Sequence, residues 1–358
     1  MFCNTLKNLD DLTISLQVTK LDAWLSLPTI IDAGAVAGSV DQFNRPLYSY
    51  PEIAGYYLSY IAYLLQSGRR ETSLTENALK IIRHQQVLWS GPVAPPTRNY
   101  SPYALERTDW RNEGMFIFDL AMLWRGITDV AAVMDVNIWD AAELRGYIGD
   151  FFSSTALRPV HWFDRRPENA PDRWSTRSGP YQLKVLAALR SAAKFQHDQR
   201  TLDQINVVLP AIVNEFNQAR FHDHNPHSIA YALEGALLLG RDIGIDFSLA
   251  REWVSNVAQA IFSADTLNID YRRSDAIAQL LRLNCCEPYF DPEIAHGLCE
   301  LLVSTIQREG SMSFTLPPCG ANNKNTWPVL FARQALDFYR RVVTDGQSIG
   351  VGEFTCLY

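Results

Sequence analysis

The sequence predicts an all-α chain folded as an (α/α)6 toroid, six helical hairpins closed into a ring. Three observations predict it. Apolar residues recur at i, i+3, i+4 and i+7 in about twelve separate segments. Strand-like alternation is scarce, with short extended pieces expected only near 262–272 and 310–316. The links between segments alternate in length, as they must if each long link starts an inner helix and each short one turns back to the outer layer.

The periodicity places helices over 9–26, 51–67, 73–89, 114–133, 136–152, 178–195, 199–218, 227–241, 247–263, 273–284, 292–307 and 324–342. Links after even segments are short, such as Ser67-Gly68-Arg69, Met134-Asp135 and Asp242-Ile243-Gly244. Links before them are long, roughly 27–50, 90–113, 153–177, 264–272 and 308–323, and hold much of the Pro, Gly, Asn and Trp. The link before segment eight is the short exception. In such a ring the even helices form the inner layer and run parallel. Their N-termini gather at one end, under the long loops, where function tends to sit. Converging positive helix-dipole ends favour anionic or hydroxyl-rich ligands. One domain over residues 1–358 is expected, because toroids run long as single units. A two-layer α-solenoid is the competing architecture.

Composition narrows the class. The 358 residues are 47% hydrophobic and 20% charged, with a net charge of -7. That suits a soluble globular chain with a sizeable core. No dense Lys/Arg run is present, which argues against nucleic acid and anionic lipid as partners. Met1 to Asp11 shows no basic-then-apolar pattern, so no signal peptide is expected. The run Ile53 to Leu65 is too short to span a bilayer and carries four tyrosines. The six cysteines form no Cys-x-x-Cys pair and read as reduced, which places the chain in the cytoplasm. No P-loop, GxGxxG, GxSxG or HExxH pattern occurs, so no cofactor is expected.

The unusual residues fall at the starts of the even segments. Segment two opens Tyr50-Pro51-Glu52, with Pro51 suited to a first helical position and Glu52 to the dipole. Glu52 is also a candidate rim carboxylate, with Tyr56 facing the cavity. In segment four Asp119 sits inside an apolar helix, where a carboxylate must find a partner or shift its pKa. Arg111 is the expected partner. Before segment six, Arg177 is placed to fork onto an anion. There Ser178 is the expected cap and Pro180 belongs to the first turn. Trp162, Trp174 and Tyr181 supply flat faces that suit sugars.

Segment eight follows His222, His224 and His227, three of seven histidines within six residues. No ligand spacing completes a metal set, so no metal is expected and acid/base chemistry is the sharper reading. His227, Tyr231 and Glu234 lie on one helical stripe. Segment ten opens with Arg272-Arg273, a candidate anion hold, and pairs Asp275 with Gln279 at i, i+4. Either Ser274 or Asp275 also serves as a plain N-cap. Segment twelve enters through polar residues to Trp327.

At these places the chain resembles a family of bacterial polysaccharide-biosynthesis proteins with an (α/α)6 toroid. The blocks are Tyr50-Pro51-Glu52 with Gly55-Tyr56, Phe118-Asp119, Arg177, His227 through Gly235, Gln279, Gly310-Ser311 and Trp327. The sequence departs from that pattern at Ala54, at Ser59-Tyr60 and at Arg273-Ser274-Asp275. The wider toroid class includes sugar epimerases, glycosidases and uronic-acid lyases. The resemblance therefore implies an isomerase, lyase or glycoside hydrolase acting on a saccharide or uronic-type sugar. His227, Tyr231, Glu52, Asp119 and Glu234 would move protons. Arg177, Arg273, Asp275, Tyr56, Gln279, Trp327 and Tyr181 would bind substrate. Two other readings stand beside it. An isomerase or cyclase of small apolar substrates needs a cup lined mainly by aromatics. A non-catalytic scaffold needs no convergence of Glu52, Asp119 and His227.

Overall fold

The computed structural model describes residues 9–105, 109–136, 139–219, 225–263, 272–315 and 324–350. Among them are the twelve helices expected: α1 (Asp11–Leu25), α2 (Pro51–Gln66), α3 (Thr72–Trp89), α4 (Ile117–Met134), α5 (Ala142–Gly149), α6 (Gln182–Phe195), α7 (Gln199–Gln218), α8 (Pro226–Leu239), α9 (Phe247–Ser263), α10 (Ser274–Asn284), α11 (Pro292–Val303) and α12 (Thr326–Asp345).

The even helices form a closed inner cycle. Each packs on the next from α2 to α12, and α12 returns to α2. The odd helices lie outside them, α1 against α12, α5 against α4, α7 against α6, and α3, α9 and α11 each against two even helices. Burial follows this layering. Almost every residue of α2, α4, α8 and α10 is buried, whereas α3 and α7 bury one stripe.

Two expectations fail at helix starts. Segment five was expected from 136, but α5 begins at Ala142. Ala141 enters it left-handed, at φ 57°, after Asp140 accepts from the Ala142 N–H at 2.8 Å. Ser178 is exposed and does not cap α6. Pro180 offers no N–H, and a turn in which Gln182 N–H donates to Gly179 O at 3.0 Å delays the helix.

The strands lie elsewhere than expected. β1 (Ile31–Asp32), β2 (Ala35–Val40), β3 (Pro46–Ser49) and β4 (Asn99–Tyr100) pair antiparallel in sequence order. β5 (Gly114–Phe116) pairs with β6 (Val160–Trp162), and β7 (Lys324–Asn325) joins β2. Most of these strands are too short to show alternation, and their partners are distant in the chain, as in Ser39 opposite Asn325. Of the expected pieces, 264–271 lies outside the described residues. Near 310–316 only isolated bridges form, such as Arg273 with Thr315.

The inner helices approach closely where glycines face one another. A Cβ on Gly55 would lie 2.3 Å from Met122 O, and one on Gly126 would lie 2.2 Å from Gly55 O. Backbone cannot yield as a side-chain tip can, so α2 and α4 need both glycines. Gly126→Ala is therefore expected to destabilise the fold by about 1–3 kcal/mol or more. Gly146→Ala in α5, where nothing lies within 4 Å, is expected to stabilise it by about 0.5–1 kcal/mol. Urea unfolding of both variants checks the contrast.

Candidate active site

The helix starts gather around one cavity of about 900 Å³, within the range of small-molecule sites. Glu52 in the first turn of α2, Asp119 in that of α4, His227 in that of α8 and Trp327 in that of α12 all line it. So does Arg273, which enters α10. The sheet supplies one wall through Ser39, Tyr48, Tyr100 and Asn325. The link before α6 adds Arg173 and Trp174.

His227 is held from below. Its Nδ1 lies 2.6 Å from Gln279 Oε1 and 3.5 Å from Asp275 Oδ2. Gln279 Nε2 donates to Glu234 Oε2 at 3.3 Å. Glu234 also receives Lys184 Nζ at 2.9 Å and the Arg282 guanidinium. Burial would raise the Glu234 pKa, but Arg282 and Lys184 outweigh it and hold the carboxyl below its ordinary value. An ionised carboxylate only accepts, so the Gln279 amide must turn its nitrogen to Glu234 and its oxygen to His227. That oxygen also only accepts, so His227 carries its proton on Nδ1. Its Nε2 is then an unprotonated lone pair. Burial and the Arg273 guanidinium push the His227 pKa down to about 3, which keeps the ring neutral.

Beside it stands a phenol chain. Tyr56 donates to Tyr231 Oη at 3.1 Å, and Tyr231 donates to Glu52 Oε1 at 3.4 Å. The Tyr231 ring lies 4.3 Å from the His227 ring and 4.5 Å from Phe118. Burial first, and the nearby Asp119 charge second, push the Glu52 pKa well up. Burial also raises Asp119, to about 7, against the pull of Arg111 and Arg98. The floor thus offers a neutral imidazole, a carboxyl, Glu52, held well above the ordinary carboxylate range, and a second, Asp119, close to its midpoint at neutral pH. Groups whose environments push their pKa values apart can divide acid and base roles.

Asp275 is fully buried behind this floor. Arg273 donates to it at 3.0 and 2.6 Å, and Trp327 Nε1 at 3.0 Å. Burial would raise its pKa, but Arg273 and His227 lower it to about 2. Asp275 fixes the orientation of both cavity-lining partners.

The chain can now be set against solved structures. A D-mannose isomerase superposes with a TM-score of 0.62 at 12% identity, over 94% of this chain and 99% of that one. A cellobiose 2-epimerase from Bacillus thermoamylovorans B4167 gives 0.63 at 12% identity, over 93% and 100%. An unsaturated glucuronyl hydrolase specific for heparin gives 0.60 at 12% identity, over 93% and 97%. The fold is the (α/α)6 toroid. No family model and no curated protein matches the sequence.

The site residues expected from sequence separate into three depths. Glu52, Asp119, His227, Tyr231, Arg273 and Trp327 line the cavity. Tyr56, Glu234, Asp275 and Gln279 lie buried behind that lining and hold it in place. Tyr181 is also behind it, packed on Trp174 and Phe118, with its hydroxyl donating to Arg177 O at 3.1 Å. Arg177 does not line the cavity. Its side chain is 65% exposed and pairs with Asp172. Arg173 lines the cavity in its place, because a 3-10 turn over Trp174–Thr176 separates the two arginines. The expected Arg111–Asp119 pair does not form. Arg111 bonds Asp109 at 2.8 Å, which also receives Arg98 at 3.1 Å. Asp119 makes no hydrogen bond or ion pair to any described residue, which is why burial dominates its pKa. His222 and His224 lie outside the described residues. Among those described, no group of three His, Cys, Asp or Glu is placed to hold a metal.

Two measurements test this layering. Glu234→Ala would leave Lys184 and Arg282 buried without their anion, and is expected to cost about 3–5 kcal/mol in urea unfolding. Asp119 has a folded pKa above its unfolded value of 3.8. Between those values the unfolded chain has released a proton that the folded chain keeps. Stability should therefore fall as pH rises from about 4 to about 7, then level off. Asp119→Asn should flatten that slope in unfolding curves taken across the interval.

Proposed function

We propose that this chain is a carbohydrate-active enzyme that moves protons on a saccharide bound in the cup. The observation that carries this reading is His227, neutral, with Nδ1–H fixed by Gln279 and Nε2 left unprotonated. Its Nε2 lone pair can accept a proton from carbon or from a hydroxyl once bound substrate offsets the Arg273 charge, which with burial depresses the basicity of the ring. Glu52, which lines the cavity with its pKa pushed well up, and Asp119, near its midpoint, are placed to supply the returning proton. Epimerisation and elimination both need this pairing of one base with one acid. The structural neighbours include proteins described as a mannose isomerase, a cellobiose epimerase and a glucuronyl hydrolase, which supports a sugar as substrate. The resemblance to polysaccharide-biosynthesis toroids points to a role in building or remodelling a glycan.

Hydrolysis is a second reading. Glu52 has its pKa pushed well up and Asp119 ionises above about pH 7, and a glycosidase divides its acid and base roles between two such carboxyls. An apolar substrate is disfavoured by the arginines in the lining, and a passive scaffold by the convergence of Glu52, Asp119, His227 and Tyr231 on one cavity.

Incubation with a panel of mono- and disaccharides in D2O, followed by NMR, separates these reactions. Epimerisation is expected to incorporate deuterium at one carbon. Elimination creates an alkene, and hydrolysis releases a reducing end without exchange at carbon. His227→Ala is expected to lower the turnover about 100-fold or more while leaving the circular dichroism spectrum unchanged. Undiminished turnover in that variant would remove His227 as the base.

A further inference from the structure

The cavity holds more positive charge than its own carboxylates answer. Arg98, Arg111, Arg173 and Arg273 all reach its lining. Each guanidinium lies over an aromatic ring: Arg98 at 4.3 Å from Tyr48, Arg111 at 4.4 Å and Arg173 at 5.6 Å from Trp110, and Arg273 at 4.6 Å from Phe314. Stacking of this kind fixes the plane of the fork without using its donors.

Their anions are fewer. Asp275 answers Arg273, and Asp41 answers the further lining arginine, Arg45, at 2.6 Å. Arg98 and Arg111 share the single carboxylate of Asp109. Arg173 has no carboxylate within ion-pair distance among the described residues. Its Nε donates to Ser175 Oγ at 2.9 Å, and its remaining donors have no described carboxylate to meet. Burial, then Arg111, Arg273 and Arg98 in turn, lower the Arg173 pKa to about 10. Glu52 and Asp119 line the same cavity, but neither comes within ion-pair distance of Arg173.

We infer that the saccharide taken by this cup carries an oxyanion, a carboxylate or a phosphate, and that Arg173 receives it, with Arg98 and Arg111 beside it. This rests on the saccharide reading above and adds the class of sugar. A half-buried guanidinium with unanswered donors gains most from a ligand that brings charge and paired acceptors together. A neutral sugar would bring neither. The base and the anion hold then come from different elements, His227 from α8 and Arg173 from the link before α6.

Calorimetric titration with glucuronate, glucose 6-phosphate, glucose and inorganic phosphate, at low and high salt, tests the assignment. The acidic sugars are expected to bind roughly tenfold or more tightly than glucose, and added salt should erode that advantage. Whichever acidic sugar leads identifies the oxyanion as carboxylate or phosphate. Arg173→Ala is expected to weaken binding of the acidic sugars far more than binding of glucose, and Arg173→Lys to retain part of the preference. The wild-type comparison reads the preference without any variant, so a variant that fails to fold does not decide the outcome. Equal affinity for glucose and the acidic sugars, or a folded Arg173→Ala protein with its preference intact, would overturn the acidic-sugar assignment and leave the saccharide reading standing. Binding of inorganic phosphate with no affinity for any sugar would overturn the saccharide reading itself.

Discussion

The buried carboxylate of Glu234 is the interaction on which the rest of the structure depends. It sits on α8, fully buried, and bonds Lys184 of α6 and both Arg282 and Gln279 of α10. Arg282 continues to Gln334 of α12 at 2.8 Å and lies 4.5 Å over Phe331. Phe331 meets Tyr56 of α2 edge-on at 5.0 Å. One anion thus ties together three inner helices directly and two more through Arg282. A ring of parallel helices brings like dipole ends together, and this polar knot holds it against that cost. Buried charge stabilises only when every donor and acceptor is answered, and here two cations and an amide share one carboxylate.

The same knot reaches the surface of the cavity through a single amide. Gln279 faces Glu234 with its nitrogen and His227 with its oxygen, so the ionisation of Glu234 dictates which nitrogen of His227 carries the proton. A fold-holding charge and a chemical group are therefore parts of one hydrogen-bonded chain. Asp275 does similar work one turn earlier on α10, where it anchors Arg273 and Trp327 from behind. A rigid inner layer sets the geometry of the floor, and the floor itself carries Asp119, whose charge is undecided at neutral pH.

Much of this was legible in the sequence. Helical periodicity found the twelve helices of the described residues, because most of them are long enough to repeat their pattern several times. The alternation of link lengths located the open end of the ring, and Glu52, Asp119, His227 and Tyr231 stood out as polar groups at apolar helix starts. Depth was not legible. Glu234 shares a helical stripe with His227 and Tyr231, but a stripe does not say which turn faces the cavity and which faces Lys184. The strands were missed because pairs of two to six residues draw their register from distant partners, as Ser39 does from Asn325. Arg173 and Arg177 were indistinguishable as sequence. Only the intervening 3-10 turn sends one inward and the other to Asp172.

That last difference bears on where the proposed specificity would be set. The inner helices cannot vary freely, since Gly55 and Gly126 press backbone on backbone and Glu234 binds several helices at once. The links can vary. They supply Tyr48, Arg98, Arg111, Arg173 and Phe314, so they place the aromatic platforms and nearly all the guanidiniums over a floor built by the helices. Each cation is planar, stacked and held by its ring before any ligand arrives, which lowers the ordering cost of binding. On the proposed reading, proton transfer belongs to the helix starts and the choice of sugar to the loops that cover them. A change of substrate would then need new loops around an unchanged His227, whereas a change at Gln279 or Glu234 would alter the proposed chemistry for every substrate alike.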